Sequence, residues 1–327
     1  MSDAESDEKS FVRPIIANNH SDSDCLALSD LSPRDKPWDR HKAESQQIER
    51  LYRGTEFQSY SDRIHFCAEF LDFVLRPTDD DVLRLKLFRA RFCHVRTCMV
   101  CTWRKSLRYK AKAYRALPKF LEDHPKYRFI FLTLTVKNCH IVELRDTLTW
   151  MNQSYTRLSR LKVFPGEGWL KSVEVTKGRN YDAHPHFHCL LVVKPSYFGK
   201  GYLSQKKWCE LWQKSLRVDY QPILDIQALK ARESLVSLIT EVVKYQTKPS
   251  NLIGYGDDKD KEWFLEYTRQ ISYTKAISIG GILKPYFREL EQEPTDLIGE
   301  DETDVSESEA RLTFNWRRWE RKYRLMD

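Results

Sequence analysis

Two adjacent stretches of β-type sequence constrain the fold of this chain most. Residues 169–176 alternate apolar and polar side chains, residues 185–193 are predominantly apolar, and a polar turn over residues 177–182 precedes the second stretch. A short polar connection of this kind joins neighbouring antiparallel strands, so we expect a hairpin. Residues 127–136 are β-branched and aromatic, which is typical of a buried strand. The sequence therefore favours a mostly antiparallel sheet.

Segments with the apolar spacing of helices lie between and after these predicted strands. Apolar side chains recur at intervals of three and four, the period of an amphipathic helix, in residues 141–161, 203–216, 233–247 and 263–276. Residues 222–229 again have strand-type sequence. Helices and strands are interspersed, but tight hairpins fit better than long crossovers. We therefore expect an α+β fold, with an antiparallel sheet and helices on one of its faces.

The flanks differ from this centre in composition. The first 50 residues are rich in Ser, Asp, Asn and Glu, which is typical of a disordered tail, with one short helix expected at residues 43–52. Residues 103–117 have helical spacing that Pro118 should end. With 327 residues, one or two compact units are expected. We divide the chain into a polar tail at residues 1–50 and a basic, cysteine-containing module at residues 51–120. A core domain follows at residues 121–288, and then an acidic segment that ends in a short basic helix at residues 289–327.

Charge is distributed unevenly along a chain whose formal net charge is +7. Residues 82–115 contain eleven Lys or Arg and no acid, with aromatic residues among them. Lys and Arg neutralise phosphates and aromatic rings stack on bases, so this stretch favours nucleic-acid contact over a merely solvated helix face. Residues 289–310 show the opposite bias, with ten acids and no base.

Neither a membrane segment nor a signal peptide is expected. The chain has no run of about 18 apolar residues, and its acidic, polar start lacks a basic region followed by an apolar core. We expect a cytoplasmic protein without a membrane partner. In that compartment its eight cysteines are more typical of metal ligands or buried thiols than of disulfides.

Three histidines alternate at the start of the third predicted strand. His184, His186 and His188 stand at every second position, and alternate residues of a strand share one face. Imidazole is the commonest protein metal ligand, and the polar face of a strand normally carries Thr, Lys or Glu instead. The pattern therefore predicts a divalent metal site. Glu174 would face the histidines across the hairpin, so Glu174 and His184 are rival candidates for the third ligand.

A group of cysteines lies in the basic module. Cys98 and Cys101 have the Cys-x-x-Cys spacing of a zinc knuckle, with Cys93 five residues earlier and Cys67 further upstream. Four thiolates close a tetrahedral structural Zn²⁺ site. His65 and His94 are alternative ligands, and the other interpretation is a set of reduced, buried thiols without metal.

A glutamate and a tyrosine lie one helical turn apart in residues 233–247. Glu241 and Tyr245 have i,i+4 spacing and so share a helix face, and Lys248 follows. A tyrosine at such a position is usually part of a core or an interface. As a phosphate nucleophile it needs help, since its ordinary pKa is near 10, and a divalent ion with nearby lysines would provide it.

Three short motifs occur in a fixed order along the chain. They are Phe131-Leu-Thr-Leu-Thr135, His184-Pro-His-Phe-His188 and Glu241-Val-Val-Lys-Tyr245-Gln-Thr-Lys248. This series resembles the three motifs of rolling-circle replication initiators, the plasmid Rep proteins of the His-hydrophobe-His (HUH) endonuclease superfamily. The chain is most similar to the subgroup with one catalytic tyrosine and a glutamate four residues before it. The resemblance extends over about residues 60–290, including residues 92–96, 98–104 and 280–284.

The resemblance implies a fold and a chemistry. The fold would be a five-stranded antiparallel sheet with flanking helices, an HUH palm related to the RNA-recognition fold, holding Mg²⁺ or Mn²⁺ through His186 and His188. Tyr245 would nick plasmid origin DNA, single-stranded or extruded as a hairpin, through a 5′-phosphotyrosine. Glu241 would activate water at termination, and Lys248 would hold the phosphate or the phenolate.

The same resemblance implies partners and leaves alternatives. A host helicase and a host DNA polymerase would act with the initiator, and a homodimer is a further expectation. A relaxase or a single-strand transposase would use the same chemistry for a different purpose. A zinc-bearing DNA-binding regulator, whose histidine strand has no catalytic role, is the alternative from another class.

Overall fold

A computed structural model describes residues 26–77, 82–228, 239–240, 242–243, 258–288 and 310–326. Within them the helices are α1 to α8, at Leu28–Leu31, Pro37–Tyr52, Gln58–His65, Met99–Asp123, Leu144–Ser159, Gln205–Leu216, Asp258–Ile271 and Lys284–Arg288. The strands are β1 to β9, at Phe70–Pro77, Leu83–Ala90, Arg128–Thr135, Gly166–Lys177, Ala183–Val193, Leu224–Ala228, Ile277–Gly281, Arg311–Arg317 and Lys322–Leu325. Most of the predicted helix at 233–247 and most of the acidic segment lie outside the described residues.

The predicted five-stranded antiparallel sheet is confirmed. Its strand order is β6-β3-β5-β4-β7, and each neighbouring pair is antiparallel. The hairpin of β4 and β5 is also confirmed, with Glu174 opposite His186 and Thr176 opposite His184. Residues directly opposite each other in an antiparallel pair share a face of the sheet, so this register decides which side chains meet at the site.

Helices cover both faces of this sheet, so the expectation of helices on one face is wrong. One face packs on α5, α6 and α7 through buried side chains such as Leu132, Phe187 and Leu191. The other face packs on α4 and α8 through a second core that includes Phe131, Leu190, Val192, Leu117 and Phe287. The reason is visible in the sequence of β3 and β5, where consecutive rather than alternate residues are apolar, as in strands buried on both sides.

A second sheet, absent from our sequence-based expectations, has the order β2-β1-β8-β9. Strand β8 pairs antiparallel with β1, and β9 continues as a hairpin from β8. The short basic helix expected at the C-terminus is therefore wrong. Phe314, Trp316 and Tyr323 are buried and alternate with more exposed residues, which is the period of a strand rather than of a helix.

The expected polar tail is wrong for its second half, since α2 occupies Pro37–Tyr52. Trp38, Ile48 and Tyr52 of this helix are buried. The Tyr52 hydroxyl lies 2.7 Å from the hydroxyls of Thr97 and Thr268, so it joins α2 to the segment before α4 and to α7. The apolar positions are sparse in this polar sequence, but each makes a tertiary contact. Residues 1–25 lie outside the described residues.

Pro118 does not end the helix of the basic module, contrary to expectation, because α4 continues to Asp123. A proline inside a helix removes one backbone hydrogen bond and crowds the preceding turn. Leu117 and Phe120, on either side of Pro118, are fully buried in the second core. This burial outweighs the local cost. No helix in the described ranges is long and apolar enough to span a membrane.

Candidate metal centre

The hairpin of β4 and β5 brings two histidines and a glutamate onto one face of the central sheet. His186 and His188 alternate with the buried Phe187, and they lie on the same face as Leu190 of the second core. Glu174 is directly opposite His186 in the neighbouring strand. The apolar residues of β5 thus fix the strand, and its polar first half presents the imidazoles beside the edge of that core.

The three side chains converge on one point. The Nε2 atoms of His188 and His186 lie 3.0 Å and 3.3 Å from Oε2 of Glu174, and the three ligand atoms lie within 4.8 Å of one another. Adjacent ligands of an octahedral ion with bonds of about 2.1 Å are about 3.0 Å apart. Two imidazole nitrogens and one carboxylate oxygen therefore fit three neighbouring positions around one divalent ion, and the remaining positions would be open.

Electrostatics keep the carboxylate of this group ionised. Burial alone would raise the pKa of Glu174, but hydrogen bonds and positive charge from His186 and His188 lower it to about 2. A metal ligand must be deprotonated, so the acid is in the binding form at neutral pH. The side chains of all three residues are 12% to 15% exposed, which leaves a path to solvent.

Neighbouring residues hold the His188 ring in place. Thr133 lies opposite His188 in β3, with its Oγ1 atom 3.4 Å from Nδ1 of the ring. Phe131 stacks on the same imidazole, with ring centroids 5.6 Å apart. A contact to the second ring nitrogen fixes the orientation and tautomer of a ligating histidine. Both supporting residues belong to the first of the three ordered motifs.

His184 does not join the group formed by the other two histidines. Its Nδ1 atom lies 2.7 Å from Oδ1 of Asn138, and its ring centroid is 5.4 Å from that of His186. Of the two rival third ligands, the described geometry brings Glu174 to the ligand atoms and directs His184 towards Asn138. Burial, together with the charge of His186, lowers the pKa of His184.

The other predicted catalytic residues, Glu241, Tyr245 and Lys248, lie outside the described residues. Their described neighbours are informative, because Ile239, Val242 and Val243 are buried in the second core. Val243 donates a backbone hydrogen bond to Ile239, as in a helical turn. This core covers the face of the sheet that carries His186 and His188. Val243, two residues before the predicted nucleophile Tyr245, thus packs on the face of the sheet that carries His186 and His188.

Sequence reasoning missed two polar residues near this site. Asn138 contacts His184 and donates to Asp182, although 46 residues separate it from His184. Asp225 of β6 lies opposite Thr133, and so on the same face as the histidines, one strand further out. An isolated Asn in a loop carries no local sign of its role. Asp225 stands at a polar alternate position of a predicted strand, which was the available signal.

The four predicted zinc ligands come together at the start of α4. The Sγ atom of Cys101 lies 3.6 Å from those of Cys67 and Cys93, and Cys98 is 3.6 Å from Cys67. Tetrahedral thiolates at about 2.3 Å from Zn²⁺ are about 3.8 Å apart. All four side chains are buried, with at most 7% exposure. The donor set and its spacing fit a closed structural zinc site.

A lysine of α2 closes the surroundings of this cluster. Lys42 is 1% exposed, and its ammonium donates to the backbone carbonyls of Cys67 and His65. Burial lowers the pKa of Lys42, and the neighbouring Cys67 and Cys98 act in the opposite direction. A cation here offsets the negative charge of a tetrathiolate site. The alternative ligands do not take part, since His65 contacts Glu49 and His94 is exposed.

Comparison with known proteins gives a consistent family. The model of a replication protein family matches residues 84–324. The chain is 34% identical over 278 residues to the Protein rep of Lactiplantibacillus plantarum, covering 80% of this chain and 84% of that one. It is 32% identical over 302 residues to the Protein rep of Streptococcus pneumoniae serotype 2, covering 89% and 92%.

A third relative, the Protein rep of Lentilactobacillus hilgardii, is 30% identical over 305 residues, which is 88% of this chain and 95% of the relative. No solved structure gives a significant match. The matched region contains both sheets except for β1 and one end residue each of β2 and β9, together with the histidine strand and three of the four clustered cysteines. The chain belongs to the replication protein (Rep) family of rolling-circle plasmid replication initiators.

Proposed function

We propose that this initiator is a metal-dependent nicking and joining enzyme that acts on one strand of plasmid origin DNA. The observation that carries the proposal is the convergence of His186, His188 and Glu174 at 3.0 Å to 3.3 Å. Two nitrogens and one ionised oxygen with open positions beside them form a donor set suited to Mn²⁺ or Mg²⁺. The buried layer that includes Val243 lies on the same face, and Val243 is two residues before Tyr245 in the chain.

In the proposed first step the Tyr245 oxygen attacks the phosphorus of the scissile phosphodiester. A bond forms between that oxygen and phosphorus, the bond from phosphorus to the 3′ oxygen breaks, and the phenolic proton is balanced by protonation of the leaving 3′ oxygen. The products are a 5′-phosphotyrosine and a free 3′-hydroxyl that a host polymerase extends behind a host helicase. His186, His188 and Glu174 would hold the divalent ion, whose positive charge would stabilise the negative charge that develops on the phosphate.

The chain's own residues would divide the remaining work. Thr133 and Phe131 hold the His188 ring, so the ligand set is preorganised before DNA arrives. Lys248 would contact the phosphate or the phenolate. Glu241 would take a proton from water when the round ends, because a carboxylate is a good general base for water and a poor transferable nucleophile.

We also propose that Cys67, Cys93, Cys98 and Cys101 bind one structural Zn²⁺. The support is the closed, buried tetrahedron of sulfur atoms and the Lys42 ammonium beside it. The site joins the segment before β1 to the first turn of α4. Its role would be to fix these two elements, since a site with four protein thiolates leaves no position for a substrate.

The experiment for the nicking proposal is incubation of the full chain with the plasmid's own single-stranded origin DNA and Mn²⁺, followed by mass mapping of adducted peptides. The wild type and the control variant Tyr202→Phe, whose ring is 63% exposed, should form a covalent adduct on the peptide that contains Tyr245. Tyr245→Phe should form none. An adduct that persists in Tyr245→Phe would identify a different nucleophile. Origin binding without cleavage by the wild type would favour a regulator.

The second experiment separates initiation from termination. Glu241→Ala should still form the first nick but should accumulate covalent protein–DNA complex at the end of a round, since water is no longer activated. The measurement is the ratio of adduct to released, rejoined circle in a replication assay. A variant that cannot make the first nick contradicts this division of labour.

A further inference from the structure

The second sheet carries a groove that the proposed catalytic chemistry does not use. The groove encloses about 600 Å³ on the outer side of β1 and β8, and Phe66, Phe70, Met326 and Arg91 are among its lining residues. Phe66 and Phe70 are 45% and 46% exposed, and Met326 is 43% exposed. Side chains of this type are usually buried. Three of them around one concave surface make an apolar site that is open to solvent.

The cysteine cluster fixes the two chain segments that form this groove. Phe66 immediately precedes Cys67, and Arg91 lies two residues before Cys93. The amide of Ala68 donates to the carbonyl of Arg91 at 2.7 Å, and the amide of Cys93 donates to the Cys67 sulfur at 3.4 Å. The groove walls are therefore held at a fixed separation, as in a preformed binding site.

Positive charge surrounds the groove. The outer face of this sheet is the one opposite Phe73 and Phe314. The strand register places Asp72 and Val74 on it, both covered by neighbouring side chains. Eight of its side chains are basic, and two of them, Arg89 and Arg324, are paired with Asp72 and Glu320; the eight are Arg76, Arg84, Lys86, Arg89, Arg311, Arg317, Lys322 and Arg324. The one acid of this face within the described strands is Asp72, which accepts from Arg89 at 2.8 Å and from Thr313 at 2.9 Å.

We infer that this outer face binds single-stranded DNA, with an unpaired base stacked on Phe66 and Phe70 in the groove and phosphates on the basic residues around it. Glu69 and Asp72 also line the groove, and their carboxylates repel phosphate, so the uncharged base is the part of a nucleotide that fits there. Arg91 lies 5.7 Å from the centre of the Phe66 ring and is exposed at the rim.

The combination of rings and cations selects a single strand over the other occupants. In a duplex the bases are paired and stacked, so two half-exposed phenyl rings would gain nothing from it, whereas single-strand binders combine basic surfaces with aromatic stacking. A protein partner would need an apolar patch with a polar rim, and eight cations on one sheet face oppose a second copy of the same face. The site lies on a different sheet from the nicking centre, so it does not depend on the chemistry there.

The test measures binding of fluorescein-labelled oligo-dT of 16 nucleotides to the full chain by polarisation, without added divalent ions. Stacking contributes on the order of 1–3 kcal/mol per base, which corresponds to about 5-fold to 150-fold in affinity. Phe66→Ala/Phe70→Ala should therefore bind at least about fivefold more weakly. Phe66→Leu/Phe70→Leu keeps apolar bulk without a ring, so its loss of affinity supports stacking even if the alanine pair is poorly folded. Phe198→Ala removes a ring of similar, 44% exposure and should bind like the wild type.

A second arm tests the basic face. The logarithm of affinity for a single strand falls with the logarithm of salt concentration with a slope of about −0.7 per phosphate contact. Arg84→Gln/Arg311→Gln should reduce that slope by about 1.4, whereas Lys206→Gln/Lys214→Gln on α6 should leave it unchanged.

The inference is overturned if the Phe66/Phe70 variants bind oligo-dT within about twofold of the wild type. It is also overturned if they weaken a 16-base-pair duplex as much as the single strand, or if they change the oligomeric state instead of the affinity. Nicking is scored separately, as formation of a covalent adduct on the peptide that contains Tyr245 with origin DNA and Mn²⁺ present. If the nicking proposal fails, the oligo-dT binding result can still be interpreted. If oligo-dT binding at the groove fails, the nicking result can still be interpreted.

Discussion

The choice of third ligand at the metal centre can be tested by replacing Glu174 and His184 in turn. Glu174→Gln keeps the shape of the side chain and removes its charge, while both imidazoles stay in place. His184→Asn removes the histidine that contacts Asn138 and leaves the group of Glu174, His186 and His188 intact. If the geometry of the hairpin decides the ligand set, only the first change should weaken Mn²⁺ binding strongly.

The expected magnitudes follow from where each side chain lies. The Glu174 oxygen is 3.0 Å and 3.3 Å from the two imidazole nitrogens, so it can share one ion with both. Loss of a group that only supports a ligand raises a metal Kd by about 10-fold to 100-fold. Loss of one of three direct ligands should reach at least about 100-fold, or about 2.7 kcal/mol. His184, as a neighbour of His186, should stay below about tenfold.

The assay is titration of the full chain with Mn²⁺, with free ion followed by electron paramagnetic resonance. Mn²⁺ suits the nitrogen and oxygen donors of this centre, and the four thiolates near α4 prefer softer ions, so one class of site is measured. Glu210→Gln on α6 is a matched control with an exposed carboxylate. If His184→Asn weakens Mn²⁺ binding as much as Glu174→Gln does, the ligand assignment drawn from the hairpin register is refuted.

Three further predictions concern the fold. Cys98→Ser/Cys101→Ser should lose one equivalent of tightly bound zinc and lower the Tm, as measured by metal analysis and calorimetry. Cys209→Ser, another buried cysteine, should keep the zinc. A metal-free double variant with unchanged Tm contradicts the zinc site. Burial lowers the pKa of Lys171 from 10.5 to about 8. Because its folded-state pKa lies below the unfolded value, the free energy of unfolding should rise as pH increases from 8 towards 10. In urea unfolding, Lys171→Met should abolish that rise and increase the free energy of unfolding by up to about 3 kcal/mol at pH 7. A rise of equal size in both proteins refutes this. Tyr52→Phe removes a buried hydroxyl with two partners and should lower the unfolding free energy by about 1–3 kcal/mol, and an unchanged urea midpoint would show that the hydroxyl contributes little.

The central hairpin was predictable because its information is local. Alternation in β4, the apolar second half of β5 and a short polar turn fix the pairing within about 25 residues, and that register alone places Glu174 opposite His186. The sequence left the third ligand open for a physical reason as well. His184 is on the same face by periodicity, and only its contact to Asn138, from a loop far away in sequence, directs its ring elsewhere.

The second sheet was not predictable in the same way. Its centre joins β1 to β8, and Asp72 and Thr313, which are hydrogen-bonded, are 241 residues apart. A single strand of mixed basic and apolar residues, such as β2, is compatible with a helix face when its partner is unknown. The prediction of a helix for the C-terminal segment was wrong for the same reason. Its alternating stretch is short, and the strand that it pairs with lies near the other end of the chain. The prediction that the helix ends at Pro118 was wrong because the burial of Leu117 and Phe120 in the second core outweighs the low helix propensity of proline.

The cysteine cluster links the two surfaces that we assign to DNA. On one side it holds the segments that carry Phe66 and Arg91 in the groove of the second sheet. On the other side it contains Cys101, in the first turn of α4, and the far half of that helix packs in the second core with Val243, over the face that bears His186 and His188. The Zn²⁺ that we propose for this site would fix both segments, since four protein thiolates close a structural site. Removal of zinc should therefore weaken single-strand binding at the groove and nicking at the metal centre together, whereas loss of either set of contacting residues should affect only its own surface.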